Sequence, residues 1–550
     1  MATLMEADGR SAKDLPPPLN YTQAERSPDW AMWKRAVAAE LEQLGSRKWA
    51  TIVPKRMVGN NLLITTTWVF TVKDDVDPQT GQALLKFKAR LTARGDLVDP
   101  IHINPDHLNA PTIDPEMVRV IMALVAADPL CQFIQSDIVG AYLNVYLKAN
   151  DPPIFLKAPQ GMEGVPEGHV LHLHINLYGL CEAAYRWYCD LSTTLTAQGW
   201  TKHAAESCLW FRQDDLQDHA SRCYFLLHVD DSLTIGRKAR QHYDKLASRY
   251  EMKDMGLPKL WCGIEFEFKK DVILLHQTAY RKYFVDHWRH HPVHPMVFTP
   301  HLTPLKADPL RSLDDQPSHN ENWYSEYCGM LNWLLVTGAD ITPGSTLIMR
   351  GLGHVTPMYE AAAAHMLGYI SVHLDLGITF DRLTPIVAGL LKLLQYVDAQ
   401  YGNIRTGHSD EGQVIMLNGN LISWSTKRQT VVAANSYHSE VIAFSNGTRH
   451  LQKLKNYICG LGFTLPVTPV FEDNDAVIRY ARDIGLSRAA RTLVQHFHFG
   501  RDQQQLGFVD VMGVASTDNL ADFFTKPLPK ASFALNVVRL GMQSLAACAA

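Results

Sequence analysis

The stretch that most constrains this chain is residues 223–236, C-Y-F-L-L-H-V-D-D-S-L-T-I-G. Residues 224–229 and 232–235 have the aromatic and β-branched composition of strands, and the polar pair between them predicts a tight hairpin with Asp230 and Asp231 at its tip. Asp is at home in turns, so an isolated Asp-Asp needs no more than the bend to explain it. Here the flanks are apolar enough to bury the hairpin, and adjacent carboxylates in such a place repel one another unless cations neutralise them. A pair of divalent metals, activating an attacking oxygen and steadying a leaving one, is the usual use of such a cluster. A third carboxylate is then wanted from elsewhere. Asp137 offers it, at the end of a short strand over 131–137, with 138–143 turning into a helix.

The segments Q-S-D-I-V-G-A-Y-L-N and L-H-V-D-D-S-L-T-I-G resemble the two palm motifs of reverse transcriptases, those of copia-type long-terminal-repeat retrotransposons in particular, with His228 where the family has Tyr. The resemblance implies that Asp137, Asp230 and Asp231 bind two magnesium ions, with manganese as the alternative. It also implies that Tyr142 is the aromatic gate that rejects a ribose hydroxyl.

At 550 residues the chain is long enough for several domains, about three or four by length. A net charge of -4 excludes a bulk-basic nucleic-acid binder, so any surface that tracks a phosphate backbone must be local. Nine cysteines without a C-x-x-C pair argue against a zinc ribbon or a disulfide framework and fit a reducing interior. No apolar run reaches the ~18 residues of a membrane span and no signal-peptide pattern opens the chain, so the expectation is an intracellular protein without a membrane partner.

Residues 1–26 are polar, carry three consecutive prolines and read as a disordered lead. Ser27-Pro28 then predicts a helix start, and Trp30, Trp33, Val37, Leu41 and Leu44 place one apolar stripe on a helix ending at Gly45. Residues 68–73 and 85–93 read as two strands, the second with Lys86, Lys88 and Arg90 alternating with Phe87, Ala89 and Leu91. A period of two puts the cations on one face, which suits either a solvated hairpin or a grip on phosphates. K-A-R-L-T-A-R-G is similar to the fingers of the copia family. That implies Lys73 and Arg90 on the incoming nucleotide's phosphates, with Lys86, Lys88 and Arg94 on the nucleic acid.

The histidines at 169, 172 and 174 lack a cysteine or carboxylate at ligand spacing and read as a wet strand face; His290, His291 and His294 invite zinc but lack partners as well. Residues 178–187, Y-G-L-C-E-A-A-Y-R-W, are similar to a family segment whose Gln packs on the nucleotide. Glu182 stands in that Gln's place, and a carboxylate beside a triphosphate is electrostatically unfavourable. Residues 304–322 read as a surface link and 324–374 as mostly helical, with G-A-D-I where the family has R-P-D-I.

A second carboxylate set follows: Asp398 at a strand end, Glu440 at a helix start, Asp473 after another strand and Asp522 in N-L-A-D. Singly these are explained as helix caps or as charges at a helix's positive end. In this order they resemble a ribonuclease H fold, and D-N-L-A-D-F-F-T-K-P-L is very like the copia-type C-terminus. The resemblance implies two further magnesium ions that cleave the RNA of an RNA–DNA hybrid. The surroundings have drifted, with Gln400 and His438 in place of family acids.

The expected fold is α/β and α+β multidomain. Reverse transcriptase fingers and palm would occupy 27–268, a thumb or connection 269–385, a ribonuclease H-like mixed α/β domain 386–530 and a tail 531–550. The implied partners are an RNA template, a DNA primer, the RNA–DNA hybrid and dNTPs, with a second copy or the rest of a polyprotein beside them. A cytoplasmic virus-like particle or the nucleus is the implied location. The alternative is a decayed or domesticated copy that only binds nucleic acid, for which Glu182, His228 and Gln400 speak.

Overall fold

The computed structural model describes all residues except 1–2, 7–9, 78–79, 100, 102, 149–150, 216–220, 291–321, 385–390, 403–406, 484–494, 527 and 550. The chain forms two units. The first comprises Met1–Thr112, Asp137–Trp200 and Leu246–Lys253, the second Ile113–Ser136, Thr201–Lys245 and Asp254–Ala550. His291, His294 and the surface link expected over 304–322 fall largely or wholly outside the described residues.

In the first unit, strands Thr66–Val76 and Ala83–Ala93 pair antiparallel in the register Lys73↔Lys86, Thr71↔Lys88 and Val69↔Arg90. Phe87, Ala89 and Leu91 are buried while Lys86, Lys88 and Arg90 are not, as the period-two reading requires. The buried face packs under helix Trp30–Ser46, where Trp33 sets its ring edge-on to Phe70 and Phe87 at 5.1 and 4.7 Å. Ser27 does not cap this helix: its hydroxyl donates to the Ala24 carbonyl, and Asp29 holds the N-cap position without a side-chain bond. The expected disordered lead carries structure. Thr3–Glu6 adds a third strand, Thr3↔Phe87 to Glu6↔Leu84, and Asn20 caps a helix over Tyr21–Arg26. Met5, packed against the hydrophobic core, and an edge strand open to pairing explain why a proline-containing polar segment is ordered here.

In the second unit, the strands Gln132–Ile138, Asp231–Gly236, Arg222–His228, Leu209–Gln213 and Thr201–Lys202 lie in that order in one sheet. The hairpin is as expected, but its register is His228↔Asp231, so the two turn residues are Val229 and Asp230 and Asp231 begins the returning strand. The shift has a backbone signature. Val229 has φ 62°, a left-handed conformation that a β-branched side chain adopts only under strain.

Helices Thr278–Trp288, Asn322–Leu334, Thr342–Met349 and Pro357–Val372 share an aromatic core around Phe284, Trp288, Tyr324 and Tyr327. The Asp of G-A-D-I is accounted for there. Asp340 and Arg281 form a fully buried, two-pronged ion pair at 2.9 and 3.3 Å, and Arg281 also donates to the His373 carbonyl at 2.7 Å. Strands Ile264–Phe268, Val272–His276 and Leu376–Asp381 then pair in sequence, and Met542–Ser544 joins the last of them. A domain boundary at 268/269 therefore falls inside a hairpin, and 531–550 is not a loose tail: helix Lys530–Arg539 leads into the joining strand.

The last sheet has the order Asn420–Val432, His408–Leu417, Leu393–Gln400, Thr468–Glu472, Val509–Gly513. The first three strands are antiparallel and the last two run parallel to Leu393–Gln400. The 25-residue helix Ser436–Gly460 packs against it. Sequence reasoning did not find the strand His408–Leu417, whose run H-S-D-E-G-Q is too polar to read as one. This sheet is latched to helix Pro115–Val125. Buried Arg119 donates to the carbonyls of Ile422 and Val336, each at 2.8 Å, and lies over the Trp424 ring at 4.4 Å. Glu116 accepts from Ser423 at 2.6 Å, meets His450 at 2.9 Å and accepts from Lys453 at 3.0 Å.

Candidate active sites

Lys88 sits at the centre of the cationic face in the first unit. Burial and the neighbouring Arg90 push its ammonium below the ordinary value, Glu40 opposes them, and Lys253 and Lys73 add to the push. A convergence of like charges of this kind is stabilised by an anion. Arg90 also lies over the Tyr178 ring at 5.3 Å, and Tyr142 meets Tyr178 ring to ring at 5.4 Å. Lys86 and Arg94 differ from the others: Lys86 is paired with Asp75 at 3.1 Å, and Arg94 grips Asp96 through Nε and Nη2.

Glu182 is engaged as well. Arg186 donates to its Oε2 from two nitrogens, at 3.2 and 2.8 Å, the Asn104 N–H reaches Oε1 at 3.5 Å, and His107 Nδ1 stands 3.9 Å away. The carboxylate that the sequence sets against a triphosphate is thus neutralised within its own helix turn. Asp137, at the end of its strand, faces Lys253 at 3.5 Å.

In the second unit, Asp230 and Asp231 are half-buried at the hairpin turn. His228 beside them is half-buried too, with its imidazole held below the ordinary value by burial against an opposing pull from Asp230. The hydroxyls of Ser136 and Ser232, the residues next to Asp137 and Asp231 in the sequence, lie 2.8 Å apart.

The second carboxylate set converges within the second unit. Asp398, Asp473 and Asp522 each offer an oxygen, and these oxygens lie within 4.8 Å of one another. Asp398 is buried on the central strand, which runs two residues beyond it. Asn519 Nδ2 donates to the Val397 carbonyl at 3.0 Å, which ties the N-L-A-D loop beside that strand. Neither Asp473 nor Asp522 is a helix cap, because Asn474 caps the helix after Asp473 and Asp522 is the first residue of its own short helix. Glu440 lies five residues into the long helix that Asn435 caps. Burial, then Asp398 and Asp473, push its carboxyl up to about 9, and its buried Oε2 has no hydrogen-bond partner among the described residues.

Sequence reasoning missed a fifth acid, Glu472. It is fully buried, held well above the usual carboxylate range by burial and by Glu440, and its Oε1 accepts the Asn474 N–H at 3.1 Å. It also missed Thr525 and Lys526. The Thr525 hydroxyl donates to Asp398 Oδ2, and Lys526 Nζ lies 3.0 Å from Asp398 Oδ1 and 2.6 Å from Asp522 Oδ1. Burial and Asp398 raise Asp522 to about 6 in spite of Lys526. Acids that hold their protons this far up, with an unpartnered buried oxygen among them, suit a hard divalent cation bound through oxygen. A further group, Asp214, Cys223 and His242, is tied up in an ion-pair network, with Asp214 2.8 Å from Arg212 and 2.9 Å from His242.

Comparison with known proteins bears on both sites. Residues 53–298 match the family model described as reverse transcriptase (RNA-dependent DNA polymerase). The chain is 26% identical over 519 residues to the retrovirus-related Pol polyprotein from transposon RE1 of Arabidopsis thaliana, covering 93% of this chain and 34% of that one. It is 26% identical over 489 residues to the corresponding polyprotein from transposon TNT 1-94 of Nicotiana tabacum, covering 87% and 35%. The chain thus spans about a third of the length of these relatives. A solved N-terminal ribonuclease H domain from Mycobacterium tuberculosis, fused to maltose binding protein, aligns with 27% of this chain and 98% of its own at 13% identity and a TM-score of 0.20. So slight a likeness supports nothing about this chain. No helix among the described residues is long and apolar enough to cross a membrane.

Proposed function

We propose, from the match of residues 53–298 to the reverse transcriptase family model and the likeness of most of the chain to transposon Pol polyproteins, that it copies RNA into DNA and cleaves the RNA of the resulting hybrid. The observation that carries the reading is the pair of carboxylate groups, at the Asp230–Asp231 hairpin turn and at Asp398–Asp473–Asp522 beside a different sheet, in a chain matched to this family.

For polymerisation, the resemblance of the two motifs assigns Asp137, Asp230 and Asp231 as the metal carboxylates. The residues fit hard divalent ions, oxygen donors only, and magnesium or manganese would supply Lewis-acid activation of a primer hydroxyl and charge neutralisation at the leaving pyrophosphate. This chain's own residues bind and orient. Lys73, Lys88 and Arg90 grip the triphosphate, Tyr142 and Tyr178 form the floor under the sugar, and Arg186 removes the repulsion that Glu182 would otherwise exert on the nucleotide. The cationic hairpin serves as fingers, the sheet of the Asp-Asp hairpin as palm, and the aromatic helical group as thumb or connection. Template, primer and hybrid are held through the backbone without base reading.

For cleavage, Asp398, Glu440, Asp473 and Asp522 would hold two magnesium ions, and Glu472, held well above the usual carboxylate range by burial and by Glu440, precedes Asp473 in the sequence. The mixed sheet, with its long helix bearing Glu440, supports a ribonuclease H-like reading of this region.

The test is primer extension on an RNA template with magnesium, beside an Asp230→Asn, Asp231→Asn double variant, with release of labelled RNA from a hybrid scored in parallel beside Asp398→Asn. Extension lost in the first variant and RNA release lost in the second is the expected result. Binding of hybrid without extension or cleavage in the unaltered chain would replace this reading with that of a nucleic-acid-binding relic.

A further inference from the structure

Among the described residues, Lys526 is the one cation ion-paired to the carboxylate set, and the way it is held sets it apart from a surface ion pair. Its backbone N–H donates to the Asp522 carbonyl at 2.9 Å, closing the turn so that its side chain returns over the same residue. Its ammonium bridges Asp522 Oδ1 at 2.6 Å and Asp398 Oδ1 at 3.0 Å, while its neighbour Thr525 donates to the other oxygen of Asp398. Both oxygens of a fully buried aspartate are therefore occupied by two consecutive residues of one short turn. An exposed i,i+4 pair contributes little, but a bridge to a desolvated carboxylate 128 positions away does more than fasten a helix turn.

We propose that Lys526 is the tethered counter-ion of this cluster: its ammonium stands where a divalent cation would bind, keeps Asp398 and Asp522 together before metal arrives, and has to withdraw for metal to enter. This rests on the reading of the cluster as a metal site. Three consequences follow from the geometry. Removing the charge leaves the acids uncompensated, so the metal-free protein loses stability. The same removal vacates the oxygens, so a divalent cation binds more tightly. Moving the charge onto arginine keeps compensation but puts a planar, five-donor group where a point charge sat, so apo stability is retained while metal still meets a competitor.

The experiment is thermal melting of the full chain in an Asp230→Asn, Asp231→Asn background, which removes the other site's response, first in EDTA and then across a magnesium titration. Lys526→Met, Lys526→Arg and Asp398→Asn are compared with the unaltered residue, and circular dichroism checks that each folds. The expected result is that Lys526→Met melts lower in EDTA yet reaches half of its magnesium-induced stabilisation at about tenfold lower concentration, as loss of one charge-assisted competitor implies. Lys526→Arg melts near the unaltered protein in EDTA and keeps its midpoint. A Lys526→Met protein no less stable in EDTA, or with its midpoint unmoved, overturns the proposal and leaves the metal site standing. A magnesium response that survives Asp398→Asn overturns the metal-site reading itself, and the proposal with it.

Discussion

Glu440 is where stability and chemistry should pull apart. Its carboxyl is pushed from an ordinary 4.5 up to about 9 by burial and by Asp398 and Asp473. A group that binds its proton more tightly when folded contributes stability that is fully present below its unfolded pKa and is lost as pH rises towards the folded one. The window is therefore from about pH 4.5 to 9, and the loss approaches ~1.4 kcal/mol per pH unit. Between pH 5 and pH 8 that sets an upper limit of about 4 kcal/mol for the metal-free protein, with a realised effect of several degrees in the melting temperature at ~2–4 °C per kcal/mol. Glu440→Gln keeps the shape and cannot ionise. In EDTA it should melt with the unaltered protein at pH 5 and above it at pH 8, the gap widening steadily between, while RNA release from a hybrid is lost. Magnesium at pH 8 should narrow the gap from the other side by stabilising the unaltered protein more than the variant. A difference that does not change with pH, or a Gln variant less stable at pH 8, would refute the reasoning.

Further outcomes are expected elsewhere. Asp340→Asn leaves Arg281 charged and buried without its counter-ion and should cost about 3–5 kcal/mol, read as a drop in melting temperature of the helical region. Lys88→Gln and Arg90→Gln should each raise the KM for dNTP in primer extension by about tenfold while changing kcat less, since each removes one charge-assisted contact worth about 1.5–3 kcal/mol. Arg186→Gln should raise the same KM, because it exposes the nucleotide to the unpaired Glu182, and Glu182→Gln added to it should restore the value.

What could be read from the sequence and what could not divides along local and non-local lines. The alternation of Lys86, Lys88 and Arg90 with Phe87, Ala89 and Leu91 is a property of one strand, and it was legible because a period of two needs no partner. The hairpin was legible as well, but its tip moved by one residue because Val229 takes a left-handed conformation that no propensity predicts for a β-branched side chain. Glu472 was passed over although it precedes Asp473. Its burial depends on which face of a central strand it occupies, and that is set by neighbours more than seventy positions upstream and more than thirty downstream. Lys526 stood in the quoted D-N-L-A-D-F-F-T-K-P-L segment, and only its return over Asp522 towards Asp398 gives it a meaning. The pairing that relieves Glu182 was in view four residues on, at i,i+4 spacing, and that signal could have been used.

Arg119 has a consequence for how the chain is made. Its guanidinium is buried among the Ile422 and Val336 carbonyls and the Trp424 ring, so helix Pro115–Val125 cannot reach its final state until residues some three hundred positions later have been synthesised. At ~5–20 residues per second on a ribosome that is a wait of tens of seconds with an apolar helix lacking its cover. Fragments that stop short of Ile422 should accordingly be held by chaperones or degraded, and an N-terminal segment expressed alone should gain solubility from Arg119→Gln, which removes a charge that has nowhere to go.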